Sequence, residues 1–374
     1  MAVLFSAPAF AAPATKAPAD LRPVRVLISE NKRSADVRVK GAYTVKALPS
    51  LALVKKGEDL KGSFSADAKG IWFDKKVWPV RGLRIEPARD RELFLDERRF
   101  RGIIDVYKDP KTQTLYAVNH LDVEVYLYGV LHHEVAHWWP MEALKAQAVA
   151  ARTYALYQAS VSKPFDFDLK SGTASQVYGG STVERFRTKR AVDQTRGRVL
   201  TWQGKLFPAY FHATCAGLTA RASELWNIDL PPLKGGVACD YCRLSPHYRW
   251  HAKVPLSQIE ERMIAGGRPV GRVLKIEPIT QTPSSRIGTL RIAGTAGETI
   301  MAAKDFRVWV GGERIRSTFF HVKVHDDTAE FQGEGWGHGV GLCQWGTLGQ
   351  ALLNRSCDTI LKFYYPGAEI ENVK

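Results

Sequence analysis

The 374 residues contain no uninterrupted apolar run of about 18 residues, the length a transmembrane helix needs, so no membrane-spanning segment is expected. Cysteine is scarce. Five cysteines, at 215, 239, 242, 343 and 357, are too few to staple a chain of this size as a disulfide scaffold. Zinc-finger spacing, an aromatic RNA-binding pattern and a dense basic block are all missing, which leaves nucleic acid unsupported as a partner. No repeat of fixed period occurs, and the glycine-rich segment lacks the G-K-[ST] that would make it a phosphate loop. Acidic residues are outnumbered: 53 Lys+Arg against 38 Asp+Glu give +15. That surplus suits an anionic lipid or wall polymer, and equally a plain solvated basic surface.

The chain opens MAVLFSAPAFAAPATKAPAD, a short apolar stretch, small residues around Ala9-Phe10-Ala11, then a Pro/Ala linker. The pattern is that of the end of a secretory signal peptide, so residues 1–20 are expected to be a leader remnant and linker and the protein to be exported, to the periplasm or cell envelope. Residues 21–118 read as a β-rich N-terminal region. Short alternating runs such as VRVLIS, DVRVKGAYTV, GIIDVY and TLYAV are punctuated by Gly and Pro. Residues 119–374 read as a second domain carrying a β-rich insertion at about 250–330.

The helical part is expected over Asn119–Ala159. Leu121, Val125, Tyr128, Leu131 and Val135 recur at three- and four-residue spacing behind a possible Asp122 cap. Pro140 fits the first turn of a second helix, MEALKAQAVAARTYALYQAS, whose alanines let other backbone pack close on most sides. Within that helix Arg152 reads as a structural group, paired or not with a carboxylate nearby. Beyond Phe165 strands and loops return, with a helix candidate at Leu256–Ile264 and short C-terminal helices at Thr347–Leu353 and Asp358–Tyr364. The fold class is α+β: mostly antiparallel strands with a buried Ala-rich helix and short C-terminal helices.

His133-Glu134-Val135-Ala136-His137 spells the H-E-x-x-H of zinc peptidases. A helix would bring His133 and His137 onto one face, with Glu134 polarising a bound water. Pro140 stops that helix early, however, and Pro140 and Leu144 stand where the extended motif needs Gly and the third His. Read as a lone acid, Glu134 sits among Val135, Ala136, Trp138 and Trp139, which would desolvate a carboxyl and favour its protonated form. Such an acid suits protonation of a glycosidic oxygen. The plain alternative is a surface glutamate at a helix end.

In FQGEGWGHGVGLCQWGTLGQAL, glycines at 333, 335, 337, 339 and 341 alternate with Glu334, Trp336, His338 and Val340. An extended segment of this period would put all glycines on one face, open to close backbone approach, and the side chains on the other. A tightly packed core strand is the competing reading. His212-x2-Cys215 and Cys239-x2-Cys242 form two short-spaced pairs, which fit a closed structural zinc site of His212, Cys215, Cys239 and Cys242 or, alternatively, a disulfide. Cys343 reads as packing.

Taken together, EALKAQAVAARTYAL behind Glu134, SQVYGG (175–180), AVDQTRGRVLTWQGKLFPAYFHATCAG (191–217), RSTFFHV (316–322), GWGHGVGLCQWGTLGQA and ILKFYYPGAEI resemble the sporulation stage II protein D/LytB family. The likeness runs from roughly Arg101 to Ile370. It implies an exported enzyme of bacterial peptidoglycan, a lytic transglycosylase cleaving glycan strands stripped of stem peptides. It equally admits a non-catalytic enhancer of a cell-wall amidase. The catalytic acid of the family falls on Glu134, with no cofactor needed for catalysis. Gln176, Tyr178, His338 and Gln344 become candidates for holding the glycan.

Overall fold

The computed structural model describes residues 15–16, 23–88, 91–162, 166–172 and 175–373. The leader-like stretch 1–20 lies outside these, apart from Thr15–Lys16. The architecture is α+β, with predominantly antiparallel sheets and seven α-helices among the described residues. The chain forms two compact units, one holding residues 12–208 with 370–374 and the other 209–369.

The first unit is built on a long sheet. Its strands run in the order Leu169–Lys170, Val24–Lys32, Leu115–Leu121, Ile103–Lys108, Gly82–Pro87, Ser34–Leu48, Leu53–Asp67, Gly70–Phe73 and Lys76–Trp78. All neighbours are antiparallel except Leu169–Lys170, which pairs parallel to Val26 and Leu27. The alternating pattern explains the strands. In Ser34–Leu48, Ala35, Val37 and Val39 turn inward while Ser34, Asp36 and Arg38 face out.

The expected division at 118/119 is not where the chain separates. The strand Leu115–Leu121 pairs with both Ile103–Lys108 and Val24–Lys32, and the first helix begins at Val123 directly after it, so strands and helices share one unit. That helix, α1 (Val123–Glu134), is capped by Asp122, whose carboxylate accepts the Glu124 amide at 2.8 Å. Helix α2 (Met141–Val161) starts behind Pro140 and is buried without a break from Ala146 to Tyr157. It contacts α1, the strands Arg198–Trp202 and Val24–Lys32, and α3 (Phe186–Gln194). A helix contacted from several directions needs small side chains on most faces, which its alanines supply. Helix α3 has no counterpart in the sequence reading, because RFRTKRAVDQ is dominated by charge and buries only Thr188, Ala191 and Val192.

The second unit has a core of its own from Trp250 to Phe331. Arg249–Pro255, Thr328–Glu334 and Phe320–His325 make one antiparallel sheet; Val273–Gln281, Ile287–Gly294 and Gly297–Ala302 make another. Helices α4 (Leu256–Ala265) and α5 (Ala303–Val310) contribute Ile259, Met263 and Phe306 to that core. Helix α5 was also hidden in the sequence, since eight residues give its period little room to register. Two further helices close the unit, α6 (Gln344–Leu352) and α7 (Cys357–Tyr364), near the expected positions. Among the described residues no helix is long and apolar enough to cross a membrane.

Candidate functional site

Glu134 is the last residue of α1, because Val135 turns to φ −141° and ψ 148° and closes the helix on the Leu131 carbonyl. The side chain is half-buried, and its Oε1 accepts the Val177 amide at 3.2 Å. Val177 belongs to the SQVYGG segment, which lies along α1: the Gly179 amide donates to the Gly129 carbonyl at 3.1 Å. A Cβ at Gly129 would lie 2.6 Å from the Tyr178 ring, and one at Gly179 would lie 2.5 Å from His133 Nε2. Both glycines are therefore the means of this close approach.

Two buried phenols feel the Glu134 charge. Burial raises Tyr126 well above its ordinary value and pushes Tyr154 up to about 12, with Glu134 adding to each, so both stay protonated. Trp139 is buried, but Trp138 is 63 % exposed. Of the two indoles expected to shroud Glu134, Trp138 is thus turned out to solvent, while tyrosines of α1 and α2 sense the carboxylate. The loop after α1 is held by α3, where Arg187 donates to the carbonyls of His137 (3.0 Å) and Trp139 (2.9 Å).

The zinc-peptidase geometry does not form. The helix ends at Glu134, so His137 is off it and the one-turn spacing of the two imidazoles is lost. His133 packs against Gly179 instead, and burial lowers the imidazole pKa of both His132 and His133. Among the described residues, no group of three or more ligating side chains includes either member of the motif.

Gln176 and Tyr178 are not presented to a ligand either. Gln176 is 1 % exposed; its Oε1 accepts the Tyr126 hydroxyl at 3.0 Å and its Nε2 donates to the Ala151 carbonyl at 3.3 Å. Tyr178 is buried with its hydroxyl donating to Asn119 Oδ1 at 2.9 Å. Both hold the SQVYGG segment in place rather than reaching outward.

In the second unit the glycine-rich segment is not the extended ribbon its period suggests. The strand stops at Glu334, and Gly337, Gly339 and Gly341 take φ of 102°, 85° and 71°. The winding lets the chain press on Tyr210–Thr214: Trp336 and Thr214 exchange amide–carbonyl bonds at 2.9 and 3.0 Å, and a Cβ at Gly341 would sit 2.1 Å from the Tyr210 carbonyl oxygen. His338 is thereby set beside Trp226 and Tyr210, with ring centroids 5.1 and 5.9 Å away, while Tyr210 and Trp226 stack at 4.4 Å. Its Nδ1 accepts the Val340 amide at 3.0 Å, and burial with His212 and two arginines nearby lowers its pKa well below the ordinary range. Gln344 opens α6 and is buried.

His212 does not join the cysteines. Its Nδ1 faces the Val340 carbonyl at 3.1 Å, and burial lowers its pKa to about 3. The place assigned to it is taken by Cys343. The Sγ atoms of Cys215, Cys239, Cys242 and Cys343 all lie within 4.8 Å of one another, fully enclosed. Spacing along the chain could not have shown this, since Cys343 is brought in by a parallel pairing of Leu342–Cys343 with Phe211–His212.

Comparison with known proteins bears on the same segments. The family model SpoIID, Stage II sporulation protein, matches residues 111–202, and a domain of unknown function, DUF8618, matches 241–341. An uncharacterized protein of Brachyspira hyodysenteriae is 36 % identical over 264 residues, covering 70 % of each chain. The amidase enhancer of Bacillus subtilis is 27 % identical over 339 residues, 77 % of this chain and 46 % of the relative. Stage II sporulation protein D of Bacillus subtilis is 28 % identical over 272 residues, 68 % of this chain and 76 % of the relative. The SpoIID match takes in α1, Glu134 and the SQVYGG segment that holds it, and with these relatives the chain belongs to the stage II sporulation protein D/LytB family.

Proposed function

We propose that this protein is an extracytoplasmic enzyme of the bacterial cell wall, a lytic transglycosylase that cleaves peptidoglycan glycan strands, preferably those stripped of stem peptides. Family membership supports the cell-wall role, and +15 of net charge suits an anionic wall. The observation that carries the reading is the Glu134 carboxyl, half-buried at the end of α1 and held by the Val177 amide. The negative end of a helix repels a carboxylate, and an amide N–H attracts one. A group that must alternate between acid and base needs both influences.

One carboxyl suffices for this chemistry, whereas ordinary glycosidases need two. Glu134 gives its proton to the glycosidic oxygen as the C1–O4 bond breaks. The C6 hydroxyl of the same sugar attacks C1, forming the C1–O6 bond of a 1,6-anhydro ring, and its proton passes to Glu134, restoring the acid. No water is consumed, and the intramolecular attack has a high effective concentration. Within the second unit, taken by itself, the half-buried and stacked Tyr210 and Trp226 offer apolar faces of the kind that stack on sugars.

The test is digestion of purified, peptide-stripped glycan by the protein and by Glu134→Gln. Release of 1,6-anhydro ends by the first and its loss from the second is expected; equal release by both removes Glu134 from the reaction. A second reading, a non-catalytic amidase enhancer, is favoured by the relative of that name, whose likeness spans 77 % of this chain. It predicts glycan binding without new ends, and stimulation of an added cell-wall amidase.

A further inference from the structure

We propose that Cys215, Cys239, Cys242 and Cys343 bind one zinc ion as a closed, four-thiolate structural site in the second unit. The inference is independent of the reaction at Glu134.

The spacing is that of a mononuclear site. With Zn–S bonds of about 2.3 Å, a tetrahedron has sulfur–sulfur edges of roughly 3.8 Å. Here Cys215 Sγ and Cys242 Sγ are 3.6 Å apart, and no pair in the group exceeds 4.8 Å. A disulfide would draw two sulfurs to about 2.05 Å, whereas Cys215 and Cys242 stand 3.6 Å apart and all four cysteines are free. An iron–sulfur cluster has an inorganic core of its own that must fit between the cysteines, so it needs a wider ring than this.

Separate segments deliver the ligands, each held in register by backbone pairing. Cys239 and Cys242 form a Cys-x2-Cys turn that ends the strand Ala238–Cys239. Gly217, two residues past Cys215, pairs with Cys239 in the short ladder Gly217–Leu218 with Ala238–Cys239. Cys343 stands opposite His212 in the parallel pair and caps the start of α6. The geometry exists because the chain is built around it. A Cβ at Gly346 would meet Cys239 Sγ at 2.6 Å and the Tyr364 hydroxyl at 2.0 Å.

Hydrogen-bond donors face two of the sulfurs. Cys343 Sγ accepts the amides of Cys215 (3.3 Å) and Gly346 (3.4 Å), and the Tyr364 hydroxyl lies 3.1 Å from Cys239 Sγ. Donors of this kind orient and stabilise metal-bound thiolates. The charge count is the independent observation. Arg286 is 2 % exposed; its Nη2 donates to the Cys215 carbonyl at 3.0 Å, yet Nε and Nη1 have no hydrogen-bond partner and the guanidinium makes no ion pair among the described residues. A buried cation is costly unless negative charge stands near it. Glu224 supplies part of that charge, and Cys215 and Cys343 add to it only as thiolates. Four neutral thiols add nothing, whereas zinc with four thiolates carries a net double negative charge.

The full-length protein, purified under reducing conditions, is assayed for metals by plasma mass spectrometry, and then for zinc uptake after chelation. One tightly held zinc per chain is expected. Cys343→Ser and Cys239→Ser should lose it, while His212→Asn and Cys357→Ser, outside the cluster, retain it. Cobalt substitution of the wild type should give the intense visible bands of a tetrahedral thiolate site. Absence of zinc both as purified and after incubation with zinc would overturn the proposal, as would iron in its place or peptide mapping that finds Cys215 disulfide-bonded to Cys242. Retention by Cys343→Ser with loss from His212→Asn would overturn the ligand set. None of these readouts depends on glycan cleavage.

Discussion

Arg152 on α2 closes a two-point ion pair on Glu124 of α1, with Nε–Oε1 at 2.9 Å and Nη2–Oε2 at 2.6 Å, and neither side chain is exposed. The same carboxylate accepts the Gly197 amide at 2.9 Å, and Arg152 Nη1 reaches the Arg198 carbonyl at 3.0 Å. One buried pair therefore ties both helices to the start of the strand Arg198–Trp202. Removing one partner leaves an uncompensated charge in the core. Arg152→Met should cost about 3–5 kcal/mol in urea unfolding, and Glu124→Gln with Arg152→Met should cost clearly less than the two single changes added. Additive losses would mean the pair does not act as a unit.

Gly179 gives space to His133 in the segment whose Val177 amide reaches Glu134, so the proposed role of Glu134 can be tested there. Gly179→Ala should displace that ring or the SQVYGG segment, and with it the Val177 amide on Glu134. Turnover on stripped glycan is expected to fall at least about tenfold, since small misplacements near a reacting group cost that much or more. Glycan affinity and the unfolding midpoint should change little by comparison. Unchanged turnover would show that this packing does not govern Glu134.

Gly341 separates crowding from backbone strain. At φ 71° any Cβ is strained, and here it would also meet the Tyr210 carbonyl at 2.1 Å. Gly236 has nearly the same φ, 72°, with nothing within 4 Å. Gly236→Ala should cost about 1 kcal/mol and Gly341→Ala about 3 kcal/mol or more, measured by denaturation of the second unit. Equal costs would mean that the glycine-rich segment yields to relieve the contact.

His212 makes the second unit acid-sensitive. Burial lowers its pKa from the ordinary 6.5 to about 3, so as pH falls the unfolded chain takes up the proton first. Its contribution is complete above pH 6.5 and is lost progressively toward about pH 3, at up to about 1.4 kcal/mol per pH unit. Between pH 6.5 and 5 the wild type should lose about 1.6 kcal/mol more stability than His212→Asn does. Parallel pH profiles for the two proteins would contradict this.

Much of the local structure was legible from side-chain type alone. Alternation marked the strands of the first unit, Asp122 and Pro140 marked the ends of α1 and α2, and the alanines of α2 announced a buried helix. These depend on neighbours a few residues apart, which sequence periodicity records directly. Helices α3 and α5 were not legible, because one is mostly charged and the other is only eight residues long.

The sequence by itself determined the fold class, the family and the place of Glu134 just before Pro140, because each is written in contiguous residues. Only the tertiary structure decided what those residues face. It ended α1 at Glu134 and so dispersed the H-E-x-x-H pair, and it sealed Gln176 and Tyr178 inside. It also wound the glycines out of line and exchanged His212 for Cys343 among the sulfurs. The reason is distance along the chain: 43 residues separate Glu134 from Val177, and 128 separate Cys215 from Cys343. Only a completed backbone ladder or a packed helix brings such groups together, and no short motif encodes that.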